Sequence, residues 1–201
     1  MDNEQAVLQA MVKDVLAEAY RGFEVTKYVL TEDIVEQKAT IVCGFKETGA
    51  ESRLAVEGVG VGMIDALFKG LKRALSTTYP SIDHIHFVGF QIEGDFSGRG
   101  AAGSDANGQV RLQVQNSTGR VFDFESCSPS ISASSVNVVV KAVEHFVNAE
   151  LAVAQVYGWI HDANRRNRSD LAEKYTHQLA NLVQNSSYSE SIERLKQSMG
   201  L

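Results

Sequence analysis

The chain has 201 residues, 44% of them hydrophobic, and a formal net charge of -6 at pH 7. This size and composition suit one compact body with appendages better than two independent domains. The acidic balance argues against a nucleic-acid-binding surface, and the sequence shows no run of ~18 apolar residues that could span a membrane. Because the N-terminus is unlike a signal peptide, we expect a cytoplasmic protein with neither nucleic acid nor membrane as a partner.

Two minor features support no specialised chemistry. Cys43 and Cys127 lie far apart and form no CxxC pair, so we expect neither a disulfide nor a metal site and interpret both as small packing residues. The basic run at 165–168 is interpreted as a solvated loop between two helices rather than a nucleic-acid contact.

The first half of the chain predicts one helix, three strands and a second helix. Strands are indicated by alternating apolar residues, and helices by apolar residues at i, i+3, i+4 and i+7. Gly22 ends the first helix and Pro80 marks the exit from the second. In chain order, the predicted elements are a helix at about 4–20, strands at 23–30, 39–45 and 53–57, a glycine bend at 58–62, and a helix that buries Ile64, Leu67, Phe68, Leu71, Ala74 and Leu75.

The second half repeats this layout at an offset of about 69 residues. Its predicted elements are a strand at 82–93, a polar loop at 94–107, hairpin strands at 109–115 and 120–125, a serine-rich bend at 126–135 whose serines can cap a helix, and a helix that buries Val136, Val140 and Val143. In the middle strands, Ala39, Ile41, Cys43 and Phe45 match Gly108, Val110, Leu112 and Val114. In the third strands, Leu54–Glu57 match Phe122–Glu125 after a one-residue slip. In the helices, Leu67, Leu71 and Lys72 match Val136, Val140 and Lys141.

The duplication predicts an α+β fold of two pseudo-repeated β-β-β-α units that form sheet-plus-helix layers. Ligand sites tend to form where such copies meet. The predicted divisions are an N-terminal helix at 1–22, a duplicated domain at 23–150 with repeats 23–80 and 81–150, and a C-terminal helical extension at 151–201 that ends in a helix with Ile192, Leu195 and Met199.

The glycine bend between a strand and a helix is the first candidate site. A dinucleotide-binding turn would need a third glycine where the sequence has Met63 or Asp65, and no Gly-Lys-Ser/Thr follows for a phosphate loop. The bend still offers backbone N–H groups at a helix N-terminus, which suit a small carboxylate. A plain tight turn is the alternative interpretation.

The remaining residues indicate no catalytic apparatus. His84 and His86 alternate on one face of a predicted strand, but no third ligand lies nearby in sequence, so structural histidines are favoured over a metal site. The sequence has no GxSxG nucleophile elbow. We therefore expect no catalytic residue, no metal and no cofactor, and the chain is not expected to be an enzyme by itself.

Three segments match the motifs of one known family: Gly60–Leu67, Gly103–Val110, and Lys141-Ala142 with Asn148. They resemble the C-terminal regulatory domain of the 2-isopropylmalate synthase family, which citramalate and homocitrate synthases share. Gly60–Leu67 resembles the family's Gly-x-Gly-Pro-Val-Asp-Ala motif, and Gly103–Val110 resembles its Gly-x-Asp-Ala stretch. Lys141-Ala142 with Asn148 is similar to the end of the family's second helix. The resemblance covers about residues 23–150.

The resemblance implies a non-catalytic regulatory and dimerisation module of branched-chain amino-acid biosynthesis. In the family this domain dimerises and binds the end-product amino acid, leucine or isoleucine, between the repeats; the catalytic barrel is absent here. The implied partners are a second copy, a leucine-like amino acid and a separate synthase catalytic subunit. Gly60 and Gly62 would admit the effector carboxylate, Asp65 and Asp105 would bind its ammonium or hold the loops, and Ala66 and Ala106 would leave room for its side chain.

Departures from the family pattern keep two alternatives open. Met63 replaces the family's proline, and Ser134-Ser135 stands where the family has Asp-Ile, which removes a charge. The alternatives are an interaction protein of the same fold that has lost effector binding, and the separated tail of a synthase whose barrel is elsewhere.

Overall fold

The computed structural model describes residues 3–48, 53–95 and 107–183. In these ranges the chain forms six strands and four α-helices, joined in part by 3-10 turns. The elements are α1 (Asn3–Leu16), a 3-10 turn (Ala17–Ala19), β1 (Phe23–Asp33), β2 (Lys38–Glu47), β3 (Arg53–Gly60), α2 (Met63–Leu75), a 3-10 turn (Pro80–His84), β4 (His86–Asp95), β5 (Asn107–Gln115), β6 (Val121–Ser128), α3 (Ile131–Arg165) and α4 (Ser169–Val183).

The strands form two antiparallel sheets, ordered β1-β2-β3 and β4-β5-β6, and a helix follows each sheet in the chain. This confirms the α+β fold of two β-β-β-α units. In the middle strand of the first sheet, Ile41 and Cys43 are fully buried, as are Val110 and Leu112 in the middle strand of the second. The predicted sequence repeat therefore corresponds to one buried face in each sheet.

The duplication extends to an irregularity in the first strand of each sheet. The pairing of β1 with β2 shifts between Val25 and Lys27, and that of β4 with β5 shifts between Phe87 and Gly89. Each shift is a β-bulge, in which one extra residue increases the local twist. The two bulges lie opposite equivalent positions of the middle strands, so they are part of the repeat.

The main core lies between the sheets and the helices. Helix α2 packs on β2 and β3, α3 packs on β5 and β6, and the two helices contact each other. Close contact between α2 and β3 depends on glycine, because a Cβ on Gly58 would lie 1.8 Å from the Ala66 carbonyl oxygen. The buried apolar residues of both repeats form one continuous cluster.

A second apolar cluster joins α1, the C-terminal half of α3 and α4. Val12 of α1 and Leu182 of α4 are almost completely buried around Val153 and Val156 of α3. Helix α3 runs through residue 150 without a break, so the proposed boundary of the C-terminal extension falls inside a helix. The predicted final helix with Ile192, Leu195 and Met199 lies outside the described residues.

Both predicted bends are shorter than expected because the strands before them are longer. Gly58 and Gly60 belong to β3, where they pair with Ile41 and Ala39, so the bend is confined to residues 61–62. Likewise, Ser126 and Ser128 belong to β6. Glycine is required at 58 and 60 because α2 packs closely on this part of β3. The prediction that a serine caps the next helix is confirmed, since Ser130 Oγ accepts a 3.2 Å hydrogen bond from the Ala133 N–H.

Two further interpretations are wrong. Residues 80–84 form a 3-10 turn that begins at Pro80, so His84 and His86 do not share a strand face. Cys127 is exposed near the end of β6, whereas Cys43 is buried as expected. The basic run is confirmed as part of the connection between α3 and α4, where Arg166 and Arg168 pair with Asp162 and Asp170.

Neither a membrane span nor a metal cluster is found in the described ranges. Although α3 has 35 residues, no helix there is long and apolar enough to cross a bilayer. In the same ranges, no group of three or more His, Cys, Asp or Glu residues could hold a metal ion.

Candidate functional site

A cleft of about 580 Å³ lies where the two repeats meet. The bend and first turns of α2 form one wall, and the start of β4 forms the other. This volume falls in the ~300–1,000 Å³ range of small-molecule sites. The residues from the second repeat are Ile85, His86 and Phe87, so both copies contribute to the cleft.

The N-terminus of α2 opens into this cleft. Gly62 is the N-cap residue and supplies no capping side chain, and a Cβ built on it would meet no atom within 4 Å. The N–H groups of the first helical turn have no acceptor within a helix, and the helix dipole makes this end electropositive. The geometry therefore leaves room for an anionic group beside bare backbone donors.

Asp65 holds the bend that leads into α2. Its Oδ2 atom accepts hydrogen bonds from the Val61 N–H at 3.0 Å and from Lys69 Nζ at 2.7 Å. Burial alone would raise the pKa of Asp65, but these two hydrogen bonds and the Lys69 charge bring it below its usual value. Asp65 is therefore a carboxylate at neutral pH.

The six residues proposed from the sequence do not all meet in the cleft. Gly62 and Asp65 line it, whereas Ala66 is completely buried behind it. A Cβ on Gly60 would lie 2.4 Å from Asp65 Oδ2, so this glycine permits close packing of α2 on β3. Asp105 and Ala106 lie outside the described residues.

Sequence reasoning missed the apolar floor of the cleft. Phe68 of α2 and Phe87 of β4 stack with ring centroids 4.3 Å apart, and Met63 and Ile64 extend the apolar surface. Lys72 Nζ donates a 2.9 Å hydrogen bond to the Asp83 carbonyl at the edge of the cleft. The helical spacing of Phe68 in the sequence indicated that it lies on the inward face of α2. That spacing was the signal from which the floor of the cleft could have been found.

The duplication produces a second cleft, of about 920 Å³, between α3 and the start of β1. Here the Tyr20 hydroxyl donates a 2.8 Å hydrogen bond to Glu144 Oε1, and the Phe23 N–H donates a 3.1 Å bond to Glu144 Oε2. Burial, followed by the nearby Glu144 charge, raises the pKa of Tyr20 well above its ordinary value. The second cleft is thus partly filled by the chain's own hydrogen-bonded side chains.

Two other residues noted in the sequence, Asn148 and Ser134, make structural hydrogen bonds. The side-chain amide of Asn148 is buried and makes two hydrogen bonds with the backbone of Arg21. Its oxygen accepts from the Arg21 N–H and its nitrogen donates to the Arg21 carbonyl, each at 2.8 Å. Ser134, where the resembled family has an acidic residue, donates a 2.9 Å hydrogen bond to the Gly108 carbonyl. Ser134 therefore joins α3 to β5.

Two sheet-and-helix repeats with a ligand-sized cleft at their junction define a duplicated regulatory-type α+β domain. The family model of the LeuA allosteric (dimerisation) domain matches residues 3–147, and the chain belongs to this family. The match confirms the resemblance to the regulatory domain of 2-isopropylmalate synthase. Residues 148–183, which include α4, lie beyond the matched range. A comparison with curated proteins gave no match.

Proposed function

We propose that this chain is a non-catalytic feedback module that binds a small branched-chain amino acid in the cleft between α2 and β4. The observation that carries the proposal is the combination of an uncapped helix N-terminus and a stacked aromatic pair in one cleft shared by both repeats. A free amino acid has one group for each of these features.

Each part of the amino acid has a chemical counterpart in the cleft. The carboxylate would accept hydrogen bonds from the first-turn N–H groups beside Gly62, as anions do at helix N-termini. Both hydrogen bonds to Asp65 use Oδ2, so Oδ1 would receive the ammonium. The side chain would pack on Phe68 and Phe87, where an aliphatic group gains ~25 cal/mol for each Å² that it buries.

The cleft also suits regulation, because its two walls belong to different repeats. A ligand that binds α2 and β4 together stabilises one relative position of the repeats over others. Such differential binding is what allows an effector to shift a conformational equilibrium at a distant site.

Thermal unfolding with a panel of amino acids tests the proposal. We expect millimolar L-leucine, L-isoleucine or L-valine to raise the Tm, because binding to the folded state stabilises it by mass action. Leucine amide, which lacks the carboxylate, should have a smaller effect than leucine at equal concentration. If none of the panel raises the Tm at millimolar concentration, the effector proposal fails.

Two glycines provide matched variants for this assay. Gly62 lines the cleft and Gly158 lies in α3, and a Cβ built on either would meet no atom within 4 Å. We expect Gly62→Ala to weaken the response about tenfold and Gly158→Ala to leave it unchanged. Equal responses in both variants would place the ligand elsewhere.

We also propose a second function, docking on a catalytic subunit, for α4 and the part of α3 that lie beyond the family match. Their buried apolar residues already pack with α1, so docking would use the exposed surface of these helices. The partner in this case would be a synthase barrel that lacks its own regulatory tail. Sedimentation of the chain mixed with such a barrel would show a complex if docking occurs. Acetyl-CoA with a keto acid should give no turnover with the chain alone.

A further inference from the structure

Among the described residues, strand β4 has a free edge, which pairs with no other strand, and an exposed apolar stretch on its inward face. It pairs only with β5 in the described part of the chain. Phe90 and Ile92 pair with the fully buried Leu112 and Val110 and so lie on the inward face of the sheet, yet they are 42% and 48% exposed. Their exposure arises because α3 packs over β5 and β6, whereas α2 contacts β4 near its start, at Phe87.

The corresponding edge strand of the other sheet, β1, is better protected. Strand β1 carries several charged residues along its length, among them Glu24, Lys27 and Glu32, which discourage edge-to-edge pairing. From Phe87 to Ile92, β4 has no charged residue. A long, apolar and unpaired edge of this kind readily accepts another strand.

We propose that the free edge of β4 is a dimer interface, occupied by β4 of a second copy of this chain in antiparallel pairing centred on Gln91. The family assignment supports a second copy as the occupant, because the matched domain is described as a dimerisation domain. A twofold axis between the two β4 strands lets one surface serve both copies. The proposal does not depend on effector binding.

The register follows from the side chains. With Gln91 opposite its own counterpart, Phe90 faces Ile92 of the partner subunit, and Ile92 faces Phe90 of the partner subunit. All four side chains then lie on the inward face, where aromatic and β-branched pairs stabilise a sheet. A shift of one residue would place these apolar groups on opposite faces. In the same register Glu93 faces Gly89 of the partner subunit, so no like charges are opposed.

Charge substitution on two matched edge strands tests the surface. Ile92→Lys introduces a cation at the proposed interface, and Val29→Lys introduces one at a similarly exposed site on the edge strand of the other sheet. We expect Ile92→Lys to raise the dimer dissociation constant about 100-fold or more in sedimentation experiments, because a lysine buried in the interface has no counter-charge. Val29→Lys should sediment like the wild type, and circular dichroism should show that both variants are folded.

Cysteine cross-linking tests the register. In a Cys127→Ser background, Gln91→Cys should form a disulfide-linked dimer on mild oxidation, because Cα atoms directly opposite in antiparallel strands lie ~4.5–5.5 Å apart. Val29→Cys in the same background should not. The proposal fails if the wild type is monomeric or if Ile92→Lys leaves the dimer unaffected. It also fails if Val29→Lys weakens the dimer equally, or if Gln91→Cys does not cross-link it.

Discussion

The rings of Phe68 and Phe87 lie with their centroids 4.3 Å apart and their planes inclined at 35°. Phe68 belongs to the first repeat and Phe87 to the second, so this contact joins the two copies at the floor of the cleft. Both rings are partly buried against the main core. Their interaction therefore contributes to the stability of the junction and to the surface on which a ligand side chain would rest.

A double-mutant cycle with Phe68→Leu and Phe87→Leu should show coupling between the repeats. Each single change removes the ring contact while keeping an apolar side chain, and we expect a coupling free energy of about 0.5–1.5 kcal/mol in urea unfolding. The ligand-induced Tm shift should fall in both single variants. Strictly additive free energies of unfolding would show that the two rings do not interact in solution.

Two glycines in the same segment should differ sharply in their tolerance of alanine. A Cβ on Gly58 would lie 1.8 Å from the Ala66 carbonyl oxygen, whereas one on Gly62 would meet no atom within 4 Å. We expect Gly58→Ala to lower the free energy of unfolding by about 3 kcal/mol, since α2 must move away from β3, and Gly62→Ala by only about 0.5 kcal/mol. Chemical denaturation of the two variants measures the difference, and equal losses would contradict this packing.

The repeated strands could be predicted because burial leaves a regular trace in the sequence. Ile41 and Val110 occupy the same position in two middle strands, and both are completely buried. The alternation of apolar and polar residues around them indicates which face of the sheet is buried, even when the elements that cover that face are unknown. The helix cap at Ser130 was predictable for the same reason, since capping depends only on residues a few positions away.

The cleft was only partly predictable because its shape depends on how the repeats pack. Gly62 and Asp65 belong to a local motif, and they line the cleft. The contact of Phe68 with Phe87 joins residues from different units, and local spacing cannot reveal it. Gly60 was assigned to the ligand from its motif, whereas its contact with Asp65 is set by the approach of α2 to β3.

The two cysteines should differ in reactivity towards thiol reagents. Cys43 is completely buried in β2, and burial raises the pKa of its thiol to about 11, while Cys127 is exposed. Since the thiolate is the reacting species, a reagent at pH 8 should modify one thiol rapidly and the other only after denaturation. Cys127→Ser should remove the fast reaction and Cys43→Ser the slow one. Two fast reactions in the folded wild type would contradict the burial of Cys43.

The Tyr20 contact with Glu144 should make stability fall at alkaline pH. The pKa of Tyr20 is raised in the folded state, chiefly by burial and then by the Glu144 charge, above its ordinary value of 10.0. The neutral phenol is therefore favoured by folding, and its contribution is complete below pH 10 and is lost as the pH rises towards the folded-state pKa. One such group changes the free energy of unfolding by at most about 1.4 kcal/mol per pH unit.

Variants of this pair separate the two causes of the shift. Tyr20→Phe should lower stability by about 1–3 kcal/mol at pH 8, because it removes a hydrogen bond to a carboxylate, and should flatten the decline above pH 10. Glu144→Gln removes the charge but keeps Tyr20 buried, so it should flatten that decline only in part. Urea unfolding between pH 8 and 11 measures both effects. An alkaline decline that is as steep in Tyr20→Phe as in the wild type would show that another group causes it.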